Sequence, residues 1–120
     1  MADQLREAVA HFVRYESKGD DGITRRERNS RFGVATPDAP EVPHSAEHVW
    51  GWFWDLNRRR QHGLAGPQPL TYAELDRWSA LTGTALLREE VGLLLELDDA
   101  FLAALGDERP KPKPKAEKFQ

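Results

Sequence analysis

The sequence predicts an all-α protein: a small three-helix core over residues 44–106, an additional N-terminal amphipathic helix on a proline-rich linker, and a disordered Lys/Pro tail. Three observations carry that prediction. Apolar residues recur at spacings of three and four in separate stretches, the period of one helix face. No stretch of useful length alternates apolar and polar residues as a half-buried strand does. Glycine, proline and capping side chains bracket the periodic stretches where helices must start and stop. The expected organisation is residues 1–17 as N-terminal helix, 18–43 as linker, 44–106 as core and 107–120 as tail.

In the first stretch Leu5, Ala8, Val9, Phe12 and Val13 make a single apolar stripe, with Asp3 as N-cap and Gly19 as terminator. From Lys18 to Pro43 turn formers dominate, and Pro37, Pro40 and Pro43 hold the chain extended while removing backbone donors. Residues 24–31 have the makings of a short polar helix with little apolar surface for docking, so 18–43 reads as a mobile linker.

The next helix is expected from Ser45 to about Gln61, with Ser45-Ala46-Glu47-His48 resembling a capping box and His62-Gly63 ending it. It contains Trp50-Gly51-Trp52-Phe53-Trp54, three of the chain's four tryptophans in five residues. Val49, Trp52, Phe53 and Leu56 have core spacing, and Trp50, Trp54 and Asn57 lie on a neighbouring stripe. Gly51 costs about 1 kcal/mol against alanine inside a helix, which a closely approaching neighbour would justify.

A turn-rich connector, Gly63 to Pro69, leads to the strongest helix start in the chain. Thr71 and Glu74 form a capping box, Leu70 and Leu75 a hydrophobic staple, and Thr82-Gly83 closes the helix. Tyr72, Leu75, Trp78 and Leu81 mark its expected buried face. The last helix spans about Leu87 to Leu105, with Leu87, Val91, Leu94, Phe101 and Leu105 on one stripe and Asp98-Asp99 interrupting it as solvated acids. Gly106 ends it, and the Pro-Lys repeat from Pro110 follows.

The 120 residues fit one domain, and a net charge of −3 hides an uneven distribution. Residues 71–109 hold nine acids against three bases, whereas a nucleic-acid binder concentrates positive charge on its folded part. The pair of helices from Tyr72 onward could mimic a helix-turn-helix, but the second begins Arg88-Glu89-Glu90 and its later charges are acidic, repulsive to phosphate. The absence of cysteine excludes disulfides and thiolate metal sites. His44 and His48 flank Glu47 without a third ligand or the zinc-protease order, and no serine-nucleophile or phosphate-cradling motif occurs. No enzyme activity, metal or other cofactor is expected. No apolar run approaches bilayer-spanning length and the N-terminus does not read as a signal peptide, which points to the cytoplasm.

Protein binding fits the remaining features. Trp and Arg are the residues most enriched at interface hot spots, and here Trp50 and Trp54 are followed directly by Arg58, Arg59 and Arg60. Those five residues are the expected partner-binding site. The competing reading, a basic run that complements the helix dipole and solubilises an aromatic segment, needs no partner.

The order of residues also resembles a known family. Trp50-Gly51-Trp52-Phe53-Trp54-Asp55-Leu56, Arg60-Gln61-His62-Gly63 with Gly66-Pro67, Pro69-Leu70-Thr71-Tyr72-x-Glu74-Leu75 and Trp78-x-x-Leu81-Thr82-Gly83 are similar to small siphophage and prophage tail proteins described as tail assembly chaperones. Glu90-Val91 and Leu97-Asp98-x-Ala100-Phe101-Leu102 continue the pattern, which covers about residues 40–105. The resemblance implies a non-enzymatic protein, acting in the host cytoplasm, that binds the tape-measure protein and recruits tail-tube subunits. A second copy of the chain is a further candidate partner. The alternatives are a structural neck or tail component retained in the virion and a small DNA-binding regulator.

Overall fold

The computed structural model describes residues 2–19 and 21–108. Its first helix, α1 (Ala2–Glu16), buries Leu5, Ala8, Val9 and Val13, the stripe that the periodicity marks out. That stripe runs along the last helix, α5 (Arg88–Glu108), in the most extensive helix–helix contact of the molecule. Leu5, Val9 and Val13 join Val49, Phe53 and Leu56 of α3 (Glu47–Asn57) and Leu94, Leu97 and Phe101 of α5 in one cluster. The N-terminal helix is therefore a core helix rather than an arm. Burying each such side chain stabilises by about 1.5–3 kcal/mol. Doubling the length of the connecting loop costs only about 0.6 kcal/mol, so the stripe docks on its own chain.

The helix that gives way is α4 (Tyr72–Thr82), expected as a full member of the core. It contributes Leu75 to the buried set, while Tyr72 and Leu81 of its expected inner face are exposed. Leu87, before α5, is exposed as well. The core is thus α1, α3 and α5, with α4 lying to one side on Leu70, Leu75 and Trp78.

The segment expected as a linker takes defined structure at two places. Thr24 accepts the Glu27 N–H at 3.1 Å and caps α2 (Arg25–Arg31), a helix that buries no residue of its own. Ion pairs from Arg26 to Glu16 and from Arg25 to Glu108 hold it against the ends of α1 and α5. In the turn before it, the Asp21 carboxylate accepts the Ile23 N–H and pairs with Arg28; both contacts hold its pKa below the usual value. The proline-spaced stretch then returns along α1. His11 Nε2 lies 2.8 Å from the Pro37 carbonyl oxygen, and Val42 packs on the core.

Helix α3 begins differently from expectation. A 3₁₀ turn, His44–Ala46, precedes it, and Ala46 occupies the N-cap position with no side-chain cap bond. The core takes Ala46, which is fully buried, and leaves Ser45 in solvent. His48 is committed elsewhere, with Nε2 2.7 Å from the Glu90 carboxylate. The α-helix also stops at Asn57 rather than near Gln61. Arg59 N–H and Arg60 N–H bond back three residues, to Leu56 and Asn57, tightening the last turn. Gly51 faces open space, so among the described residues no close neighbour stands where one was expected.

After α3 the chain forms a minimal antiparallel hairpin, β1 (His62–Gly63) with β2 (Gly66–Pro67), pairing His62 with Pro67 and Gly63 with Gly66. The α4 start is as the sequence predicts: Thr71 accepts the Glu74 N–H at 3.2 Å and Glu74 accepts the Thr71 N–H at 3.1 Å. Gly83 ends α4 in the left-handed region at φ 69°, where a Cβ would be strained. The Lys/Pro tail from Pro110 lies outside the described residues.

Candidate partner-binding surface on α3

The five residues singled out by sequence separate into distinct environments. Trp50 and Trp54, one turn apart, meet edge to face with ring centroids 5.5 Å apart. Both are half-buried, and Trp54 is the more deeply tied. Its ring stands 4.4 Å from Phe12 of α1, 5.1 Å from Phe53 and 5.9 Å from Phe101. Aromatic pairs of this geometry add about 0.5–1.5 kcal/mol each beyond their buried area, so the rings are held rigidly. Phe12, Trp50, Trp54, Asn57 and Arg58 line an open, mainly apolar groove of about 480 Å³ between α1 and α3. The chain returning through Pro40 and Val42 borders a second hollow that shares Phe12 and Trp50. Phe12, placed by periodicity on a buried stripe, is 38% exposed and belongs to this surface.

Arg58 stands at the rim of the groove, largely in solvent, with its guanidinium 3.1 Å from Asp55. Arg59 is also exposed but points to the other side of α3, where it lines a hollow with Trp78 and Leu81. Arg60 is not a surface residue. Its side chain is 2% exposed and forms a buried ion pair with Asp98 of α5, itself 2% exposed. Arg60 also donates to Asn57 Oδ1 and to the Gln68 carbonyl, each at 2.8 Å, and lies over the Phe101 ring. Asp98 accepts the Leu70 N–H at 2.9 Å with its second oxygen. The junction ties the end of α3, the hairpin and the start of α4 to α5.

Asp98 is therefore a buried framework residue, not a solvated acid. The sequence does carry a signal for this: Asp98 falls four residues after Leu94 and three before Phe101, on the buried face of α5. An arginine is the side chain best able to satisfy it there, because its planar fork presents several donors at once.

Trp52 turns away from the groove, meeting His48 at 4.9 Å and Trp78 at 5.9 Å, both edge to face. The Trp78 indole N–H donates to Asp55 at 2.8 Å, so Asp55 joins both sides of α3. Among the described residues, no three His, Asp or Glu side chains converge where they could hold a metal ion. His44 pairs with Glu47, three residues on. Among the same residues, no helix is long and apolar enough to cross a membrane.

The family model described as phage tail assembly chaperone matches residues 26–103. That span contains α3, the hairpin and α4, nearly all of α2, and α5 as far as Ala103. No curated protein and no solved structure matches the chain. The match covers well over half of the sequence and includes α3, while α1, which brings Phe12 to the groove, lies outside it. The chain belongs to the phage tail assembly chaperone family, whose members are non-enzymatic.

Proposed function

We propose that the protein acts in the host cytoplasm, where it binds the tape-measure protein and recruits tail-tube subunits to it through the groove at Phe12, Trp50 and Trp54. Family membership supports a role in tail assembly. The single observation that carries the assignment of the surface is the open aromatic groove, braced from beneath by Phe53 and Phe101. Exposed apolar patches with polar rims mark interaction sites. Rings already fixed by packing lose little freedom on binding, which favours association. Arg58 supplies the polar rim, and Asn57 a neutral hydrogen-bonding group. Arg59 faces another side of α3 and Arg60 is buried, so neither contributes to this groove.

Co-expression with the tape-measure and tail-tube proteins of the same phage, followed by affinity capture of this chain, tests the reading. Capture of the tape-measure protein is expected; capture of neither protein refutes it. Mass spectrometry of purified particles separates an assembly factor from a retained neck or tail component. The chain should be missing from finished particles.

A further inference from the structure

A second groove of about 330 Å³ opens on the opposite side of α3, between that helix and α4. Leu56, Leu70 and Trp78 form its floor, and Leu81, 88% exposed, stands at its edge. Trp78 is fixed by its bond to Asp55 and its contact with Trp52, so the floor is preformed. Arg59 lines the same groove from the turn that ends α3, and Arg77 lines it from α4. Among the described residues neither guanidinium has an ion pair or hydrogen-bond partner.

The carboxylates beside them are already engaged. Asp55 accepts from Trp78 and Arg58, and Glu74 serves the α4 capping box. Bonds from neutral donors leave Glu74 its charge, so with Asp55 paired to Arg58 the groove sets Arg59 and Arg77 against Glu74 and keeps one net positive charge. We propose that it is a docking site for an acidic segment of a partner protein, one that places an apolar side chain on Trp78 and carboxylates against Arg59 and Arg77. The chain's own C-terminal stretch is a poor occupant, because residues 110–120 carry four lysines and one glutamate. This inference rests on the reading of the chain as a protein-binding factor, but it uses a face that the Trp50 groove does not share.

The test is an NMR titration of the ¹⁵N-labelled full chain. One probe is a synthetic amphipathic helical peptide with leucine on one face and glutamate on the other. The second probe is the same peptide with lysine replacing glutamate. The glutamate peptide should shift the Trp78 indole N–H and Leu81 amide signals saturably, and the lysine peptide should not. The double variant R59E/R77E should weaken glutamate-peptide binding at least about tenfold and gain binding of the lysine peptide. Trp50→Ala should leave the Trp78 response unchanged.

An unshifted Trp78 signal, equal response to the two peptides, or unaltered binding by R59E/R77E would overturn the proposal. So would a Trp78 shift that grows with protein concentration alone, since a second copy would then fill the groove. Loss of tape-measure capture with the Trp78 response intact would overturn the proposed function and leave this site standing.

Discussion

The Trp50–Trp54 face and the Arg60–Asp98 junction follow one another along α3 and the turn that ends it, and each reverses the usual relation between residue type and place. Large aromatic rings stand half in solvent, while an ion pair is closed inside. The difference lies in what each group finds at its back. Trp54 leans on Phe12, Phe53 and Phe101, and Trp50 leans on Trp54, so one side of this ring surface is satisfied and the other stays available. Arg60 and Asp98 find between them a carboxylate, a guanidinium, two other acceptors and a backbone donor, and among the described residues no buried side-chain nitrogen or oxygen is left without a partner. Adjacent arginines can thus have opposite fates: Arg58 and Arg59 remain outside and Arg60 becomes part of the frame.

The largest expected effect comes from breaking the junction. Asp98→Ala leaves the Arg60 charge buried and the Leu70 N–H unpaired, and should destabilise by about 3–5 kcal/mol in urea unfolding. Intact stability in that variant would mean that Arg60 reaches solvent. Trp54→Ala comes next, expected to cost about 2–3 kcal/mol because the ring is only half-buried yet braces two helices. It should weaken partner capture too, so it blurs the comparison between frame and face. Arg58→Ala should change stability by no more than about 0.5 kcal/mol, since its pair with Asp55 is exposed.

Local signals in the sequence were the most legible. The Thr71–Glu74 box and the Leu70–Leu75 staple involve neighbours a turn apart, and they form as the residues suggest. The Ser45 box failed although it is equally local, because burial of Ala46 and the His48–Glu90 contact set the start of α3 instead. Periodicity showed which residues share a face, but not whether another element covers it. The α1 stripe is covered by α5, whereas Tyr72 and Leu81 of α4 are left open. Arg60 and Asp98 stand 38 residues apart, and nothing at either position names the other. Of the site, Trp50, Trp54 and Arg58 could be read from composition and spacing. Phe12 could not, because its place depends on how α1 docks.

The most direct measurement compares Trp50→Ala with the wild type in tape-measure affinity and in melting temperature. Trp50 borders the groove but, unlike Trp54, has no ring contact with Phe53 or Phe101. Affinity should fall at least about thirtyfold, the scale of a hot-spot tryptophan, while the melting temperature drops by only a few degrees. Unchanged affinity with a large fall in melting temperature would contradict the account and make Trp50 a packing residue.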